Sequence, residues 1–154
     1  MQKLLMVCLG NICRSPLAQG ILESKIAKSN LKDIIVDSAG TGNWHSGSAP
    51  DQRSIEIAKE NGIDISKQKA RQFNTEDFNL FDKIFVMDTS NYATLLRLSS
   101  SERESEKIKL ILDYSFQNKR SSVPDPYYGG SDGFKIVFQL LDQACEEIMK
   151  ELKK

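Results

Sequence analysis

Hydrophobic residues cluster into four short runs, at residues 3–8, 34–36, 83–87 and 108–112. The stretches between these runs carry apolar residues at helical spacing. Short apolar runs that alternate with helical stretches are typical of parallel strands joined by helices. The pattern therefore predicts an α/β fold in which helices flank a parallel sheet.

The helix pattern is clearest at the end of the chain. Apolar residues recur there at alternating steps of four and three, which places them on one helix face. They are Phe134, Phe138, Leu141, Cys145, Ile148 and Leu152. Earlier in the chain, Pro16 suits the first turn of a helix, and a second helix is expected to begin near Asp51 and to end at Gly62.

Polar stretches at residues 41–48, 99–107 and 117–133 are predicted to be loops. No internal repeat, low-complexity tract or domain boundary stands out in the sequence. A chain of 154 residues is long enough for one substantial core and short for two. We therefore expect a single domain over residues 1–154.

The charge and cysteine content exclude several classes of function. There are 21 basic and 21 acidic residues, so no net field attracts the chain to nucleic acid or to an anionic membrane. The apolar run at residues 4–9 is shorter than a membrane span or a signal-peptide core. Three cysteines without metal-ligand spacing favour neither a disulfide scaffold nor a metal site. These features predict a cytoplasmic protein with reduced thiols.

Reactive residue types follow the predicted strands. The first strand ends at Cys8, the second runs into Asp37 and Ser38, the third runs into Asp88, and the loop after the fourth leads to Asp125. Ligands of open parallel sheets bind beyond the carboxyl ends of the strands. We therefore expect the chemistry of the protein at this edge.

The segment between the first strand and the first helix is predicted to bind phosphate. Five residues separate Cys8 from Arg14, which is enough for backbone N–H groups to surround a tetrahedral anion. Gly10 and Asn11 tolerate turn conformations, and Arg14 can pair with two phosphate oxygens. The predicted phosphate-binding residues are Leu9, Gly10, Asn11, Ile12, Cys13, Arg14 and Ser15.

Cys8 is the candidate nucleophile of this segment. The start of a helix and a nearby arginine both favour the thiolate form of a cysteine. The alternative is a buried, unreactive cysteine at a strand end. The loop lacks the Gly-Lys-Ser/Thr ending that accompanies Mg²⁺ in nucleotide hydrolases. We therefore expect chemistry without a metal and without a cofactor.

Asp125 is the candidate acid. It lies in the segment 123–130, where prolines stiffen a loop that also carries two tyrosines. A tyrosine phenolate, whose free pKa is about 10, leaves readily only when an acid protonates it. The alternative for Asp125 is an ordinary turn, and the sole histidine, His45, has no evident partner.

Four motifs occur in order along almost the whole chain, and together they resemble the low molecular weight protein tyrosine phosphatases. They are Val7 to Pro16 (VCLGNICRSP), Asp37 to Thr41 (DSAGT), Met87-Asp88 with Ser90-Asn91, and Asp125 to Tyr128 (DPYY). The resemblance implies a flavodoxin-like, three-layer domain with a four-stranded parallel sheet. It also implies hydrolysis of phosphotyrosine through a phosphocysteine on Cys8, with Arg14 binding phosphate and Asp125 acting as acid and then as base.

The resemblance assigns further roles. It implies that Ser38 bonds to the loop residue Asn11 and that Ser15 stabilises the thiolate. The implied pocket walls, deep enough to exclude phosphoserine, are Leu9, Trp44, Tyr127 and Tyr128. Trp44 could instead cover the core, and the tyrosines could be surface residues.

Several positions depart from the family or bear on specificity. A histidine that some members carry before the segment 70–72 is absent, and residues 67–69 read Lys-Gln-Lys. Protein arginine phosphatases, which share the fold, tend to carry Thr where this chain has Ile12, and Phe-Gly where it has Tyr127-Tyr128.

Two other functions are less consistent with the sequence. Arsenate reductases need two further cysteines on a mobile segment, and a non-catalytic phosphate-binding module would need neither Cys8 nor Asp125.

Cys13 is a candidate redox partner of Cys8. It can trap oxidised Cys8 as a disulfide, or it can be a small packing residue. The partners implied by the resemblance are tyrosine-phosphorylated proteins, with a tyrosine kinase among them as in bacterial members. We expect a monomer or weak self-association.

Overall fold

The computed structural model describes residues 1–117, 119–127 and 129–154. Four strands form one sheet: β1 (Gln2–Cys8), β2 (Ile34–Gly40), β3 (Lys83–Val86) and β4 (Ile108–Leu110). All neighbouring strands are parallel, in the order β2-β1-β3-β4. The helices are α1 (Arg14–Ala27), α2 (Gln52–Glu60), α3 (Asp77–Leu80), α4 (Thr89–Leu98), α5 (Glu102–Ser105), α6 (Asp113–Phe116) and α7 (Ser131–Leu152). The predicted α/β fold with a four-stranded parallel sheet is confirmed.

The central strand β1 is buried on both faces. Leu4 and Met6 belong to an apolar cluster that includes residues of α1, α2 and α7. Leu5 and Val7, which point to the opposite face, belong to a second cluster that includes Phe78 of α3. Helices on both faces of the sheet make the three layers that were expected.

The apolar face of α7 is buried as its sequence pattern predicts. The first five of the six apolar residues predicted on this face are at most 7% exposed: Phe134, Phe138, Leu141, Cys145 and Ile148. The sixth, Leu152 at the end of the helix, is partly buried. None of the helices in the described ranges is long and apolar enough to cross a bilayer.

Some element boundaries differ from the prediction. The stretch 99–107 was expected to be a loop, but it contains the single turn α5, which Ser101 caps by accepting a 3.2 Å hydrogen bond from the Glu104 N–H. A single turn that is stabilised by its cap shows no hydrophobic period in the sequence. Strand β4 ends at Leu110, and helix α7 begins at residue 131, inside the stretch 117–133 that was expected to be a loop.

The second strand is longer than its apolar run. It continues through the polar residues Asp37 and Ser38 to Gly40, which pairs with Cys8 at the end of β1. The sheet order also reverses at β1, because β2 lies on one side of it and β3 on the other. Such a switch point opens a crevice beyond the strand ends. The crevice here lies next to Cys8.

Candidate active site

The segment from Cys8 to Ser15, here called the phosphate loop, runs from β1 to α1 and is held in a fixed shape. Asn11 adopts a left-handed conformation with φ 57°. The carbonyl groups of Cys8 and Leu9 each accept a 2.9 Å hydrogen bond from the backbone that follows β2. A Cβ atom on Gly40 would lie 2.8 Å from the Leu9 carbonyl oxygen, so only glycine allows β2 to come this close.

The Asn11 side chain links the phosphate loop to its surroundings. Its amide nitrogen donates to Ser15 Oγ at 2.8 Å and to Ser38 Oγ at 3.0 Å. Its oxygen accepts a 3.0 Å hydrogen bond from the Arg71 N–H. Ser38 in turn donates to Gln19 Oε1 at 2.7 Å. This network keeps a buried asparagine in a conformation that few residues adopt.

Hydrogen-bond donors surround the sulfur of Cys8. The residue is 2% exposed, and its Sγ lies 3.0 Å from Ser15 Oγ and accepts a 3.3 Å hydrogen bond from the Asn11 N–H. Ser15 Oγ accepts from the Asn11 side chain, and its own proton can go to the sulfur or to the Ala39 carbonyl oxygen, 3.5 Å away. The sulfur thus lies within hydrogen-bond distance of two groups of the phosphate loop.

Arg14, at the start of α1, is 2% exposed, and one of its terminal nitrogens is paired with protein groups. Its Nη1 donates to Asp88 Oδ2 at 2.6 Å and to the Val123 carbonyl at 3.0 Å. Burial lowers the pKa of Arg14, but the nearby Cys8, Asp88 and Asp125 outweigh this and raise it. Asp88 was predicted at this edge of the sheet, but its pairing with Arg14 was not.

Asp125 lies across the cavity from the phosphate loop, in the segment 124–130, here called the Asp125 loop. Its Oδ2 is 3.7 Å from Arg14 Nη2, and its Oδ1 accepts a 3.1 Å hydrogen bond from the Tyr127 N–H. The side chain is 42% exposed. The carboxyl group can therefore exchange protons with solvent while it stays near Arg14.

These groups surround one cavity of about 350 Å³. Its lining residues are Cys8, Leu9, Gly10, Ile12, Cys13, Arg14, Trp44, His45, Asp125 and Tyr127. Trp44 is 69% exposed, so it does not cover the core. Tyr128, which was also expected to line the pocket, lies outside the described residues.

His45 was not predicted as a site residue, yet it lines the cavity. Its ring centre lies 6.2 Å from that of Tyr127. Its Cδ2 atom is 3.1 Å from the position that a Cβ atom on Gly10 would take, so the ring covers the phosphate loop at that residue. Its place next to Trp44 in the chain was the one signal available in the sequence.

The segment that lacks the family histidine still supports the phosphate loop. Gln68 donates a 3.1 Å hydrogen bond from Nε2 to the Pro16 carbonyl in the first turn of α1. The Arg71 guanidinium is held by Asp37 at 3.1 Å and by Asp77 at 3.0 Å. Gln19, Gln68 and Arg71 were not predicted to have these supporting roles.

The cysteines differ in their surroundings. Cys8, Cys13 and Cys145 are all free and buried. Burial, followed by the negative charge of Asp51, raises the pKa of the Cys13 thiol to about 12. Burial also raises the pKa of Cys145, which packs between α7 and α1. Cys13 lines the cavity together with Cys8, whereas Cys145 does not.

The chain is similar to known phosphatases over nearly its whole length. A family model for low molecular weight phosphotyrosine protein phosphatase matches residues 3–154. A protein of that name from Schizosaccharomyces pombe is 43% identical, over 97% of this chain and 96% of its own. The crystal structure of a protein tyrosine phosphatase from Entamoeba histolytica superposes with a TM-score of 0.93 at 40% identity, over 99% of this chain and 97% of that one. A Drosophila arginine phosphatase has a TM-score of 0.91 at 34% identity, over 100% and 99%.

Proposed function

The chain belongs to the low molecular weight phosphotyrosine protein phosphatase family, and from this we propose that it hydrolyses phosphotyrosine through a phosphocysteine intermediate on Cys8. One observation carries the proposal: Cys8, Arg14 and Asp125 line the same cavity. These side chains supply a nucleophile, a phosphate-binding cation and an acid. A phosphatase that works through a phosphocysteine intermediate uses groups of these three kinds.

In the first step, the Cys8 thiolate attacks phosphorus and the bond between phosphorus and the tyrosine oxygen breaks. Arg14 and the backbone N–H groups of the phosphate loop bind the equatorial oxygens, where charge builds up in the transition state. The proton of the Asp125 carboxyl goes to the leaving phenolate. The products are a phosphocysteine, a free tyrosine side chain and the Asp125 carboxylate.

In the second step, water attacks the phosphorus of the phosphocysteine. Asp125 accepts a proton from this water, and Cys8 leaves as a thiolate. Inorganic phosphate is released, and Cys8 and Asp125 return to their starting forms. Ser15 and the Asn11 N–H contact the sulfur, so they stabilise the thiolate at the beginning and at the end of the cycle.

The cavity walls favour an aromatic substrate. Trp44 and Tyr127 present exposed rings beside the phosphate loop, and Leu9 is 43% exposed. Aromatic faces contact a phenyl ring well, and a pocket with such walls holds phosphotyrosine better than the shorter phosphoserine. We propose tyrosine-phosphorylated proteins as substrates, a tyrosine kinase among them. The buried free thiols suit a reducing cytoplasm.

The arginine phosphatase reaction is the second candidate, because a Drosophila arginine phosphatase shares the fold at 34% identity. Ile12, where such enzymes tend to carry Thr, is 8% exposed and lines the cavity. An apolar side chain offers no hydrogen bond to a guanidinium, so this residue favours phosphotyrosine. Arsenate reduction is disfavoured because Cys145 is buried in the core. A binding module would have no use for Asp125.

Hydrolysis of p-nitrophenyl phosphate in the presence of EDTA tests the nucleophile and the expected independence from metals. The parent should be active, and Cys8→Ser should be inactive. Activity that survives this substitution, or that requires added metal, would overturn the mechanism. Comparing kcat/KM for matched phosphotyrosine and phosphoarginine peptides then decides between the two candidate substrates.

Asp125→Ala tests the acid. It should reduce kcat/KM for phosphotyrosine about a hundredfold, and much less for esters such as 2,4-dinitrophenyl phosphate, whose leaving group needs no proton. Equal losses on the two substrates would remove Asp125 from the acid role. Incubating the Cys8→Ser or Asp125→Ala variant with phosphorylated proteins, followed by identification of those retained, would identify physiological substrates.

A further inference from the structure

Arg53, in the first turn of α2, reaches out of its helix to the Asp125 loop. Its Nη2 donates a 2.9 Å hydrogen bond to the Tyr127 carbonyl, and its Nη1 donates a 3.1 Å hydrogen bond to the Gly129 carbonyl. One planar, rigid group thus binds the Asp125 loop at two backbone positions.

The guanidinium of Arg53 is itself held in place by Asp51 and Phe134. Asp51, the N-cap of α2, accepts 3.0 Å hydrogen bonds from Arg53 Nε and Nη2 on its two oxygens. Arg53 Cζ also lies over the ring of Phe134, 4.6 Å from the ring centre, and is 5.7 Å from the ring centre of Tyr127. Phe134 is 1% exposed, so this support is part of the core.

The start of α2 is bonded to the phosphate loop as well. The Asp51 N–H donates to the Ile12 carbonyl at 2.8 Å, and Ser54 Oγ donates to the Cys13 carbonyl at 3.3 Å. The first turn of α2 therefore contacts both halves of the site. It holds the nucleophile's loop through Asp51 and Ser54, and the acid's loop through Arg53.

A short path leads from Arg53 to the carboxyl group of Asp125. Arg53 binds the carbonyl of Tyr127, and the N–H of the same residue binds Asp125 Oδ1 at 3.1 Å. Arg14 lies 3.7 Å from Asp125 Oδ2, which is longer than a hydrogen bond. The direction of the Asp125 carboxyl thus depends on where the backbone at Tyr127 is held.

We infer that Arg53 is a positioning residue for the general acid, which sets the distance between Asp125 and the phosphate loop without touching the substrate. The inference rests on the acid role proposed above for Asp125. A displacement of about 1 Å in a catalytic group can cost a hundredfold in rate. Loss of Arg53 should therefore impair the reactions that need a proton from Asp125 and spare those that do not.

The test compares kcat/KM for phosphotyrosine and for 2,4-dinitrophenyl phosphate in Arg53→Ala and Arg53→Lys. Arg53→Ala should lose at least about tenfold on phosphotyrosine and less than about twofold on the activated ester. Arg53→Lys keeps the charge and the aliphatic stem but not the planar fork, so its losses should be of the same kind and smaller. Arg97→Ala, on the exposed face of α4, is the matched control and should change neither value.

Equal losses on both substrates would show a general structural effect and overturn the inference. A double mutant gives a second, independent outcome. If Arg53 acts through Asp125, Arg53→Ala should have no further effect on phosphotyrosine in an Asp125→Ala background, whereas additive losses would contradict the inference. If Asp125→Ala alone lost both substrates equally, the acid assignment itself would fall, and the role of Arg53 with it.

Discussion

Arg14 Nη1 and Asp88 Oδ2 form a 2.6 Å ion pair. Asp88 also caps α4, because its other oxygen accepts a 2.7 Å hydrogen bond from the Asn91 N–H. One carboxylate therefore fixes both the guanidinium and the helix after β3. Since Arg14 is 2% exposed, the charge of Asp88 offsets much of the energy required to bury it.

We expect Asp88→Asn to lower the free energy of unfolding by about 2–3 kcal/mol. The amide keeps an oxygen for the cap of α4 but no longer neutralises Arg14. Asp88→Ala should lose about 1 kcal/mol more, because it also removes the cap. Urea unfolding of the two variants measures both effects. An Asp88→Asn variant as stable as the parent would show that the Val123 carbonyl and Asp125 suffice to hold Arg14.

Two substitutions of Asn11 separate the contribution of its side-chain hydrogen bonds to stability from that of its backbone conformation. Asn11→Gly and Asn11→Ala both remove the hydrogen bonds to Ser15, Ser38 and the Arg71 N–H. Only the alanine variant must also adopt φ 57° with a Cβ atom, which costs about 1–2 kcal/mol. Asn11→Gly should therefore be the more stable of the two in chemical denaturation. The reverse order would mean that the loop changes conformation once the side chain is gone.

The buried thiols predict a loss of stability at alkaline pH. The pKa of Cys13 is raised to about 12 by burial, and that of Cys145 is raised by burial as well. Unfolded thiols titrate near a pKa of about 8.5, so above that pH the folded chain binds more protons than the unfolded chain. Stability should be constant with respect to these groups below about pH 8 and fall above it. The slope is at most about 1.4 kcal/mol per pH unit for each thiol.

Urea unfolding at pH values from about 7 to about 10 tests this slope. The variant with Cys13→Ala and Cys145→Ala is the control. It should be less stable than the parent near pH 7 because it loses core volume, and its stability should depend less on pH between about 8.5 and 10. An unchanged slope would show that these thiols do not cause the alkaline loss.

Cys13 also predicts how the enzyme responds to peroxide. If Cys13 forms a disulfide with oxidised Cys8, thiol reductant should restore most activity to the parent and much less to Cys13→Ser. The measurement is residual phosphatase activity after peroxide treatment and reduction, with Cys145→Ser as the matched control. Equal recovery in Cys13→Ser and the parent would leave Cys13 as a packing residue only.

That Cys8 and Arg14 would lie at one cavity could be predicted from sequence because the two residues are close in the chain. Cys8 and Arg14 lie in one short segment between a strand and a helix, where spacing alone limits the geometry. Asp125 could be proposed from sequence for a related reason, since the prolines and tyrosines around it are typical of an ordered loop. The sheet and α7 could be predicted because the burial of their apolar faces produces a hydrophobic pattern in the sequence.

The supporting residues could not be found in this way. Arg53, Arg71 and His45 are ordinary surface residue types in segments whose pattern reports only a helix or a loop. Their roles arise from tertiary contacts, such as that between Arg53 and the Tyr127 carbonyl, 74 residues apart in the chain. The one-turn helix α5 was not predicted for a different reason, because a single turn is too short to show a hydrophobic period.

The close approach of Gly40 to the phosphate loop has a consequence for the energetics of catalysis. The position of its missing Cβ lies 2.8 Å from the Leu9 carbonyl oxygen and 3.1 Å from the Asn11 nitrogen, so the end of β2 packs directly on the loop backbone. A loop packed in this way has little freedom to rearrange around an anion. Its dipoles are oriented before the substrate arrives, whereas water would have to reorient during the reaction. In the mechanism proposed above, this packing of the sheet edge on the loop would lower the reorganisation energy of phosphoryl transfer.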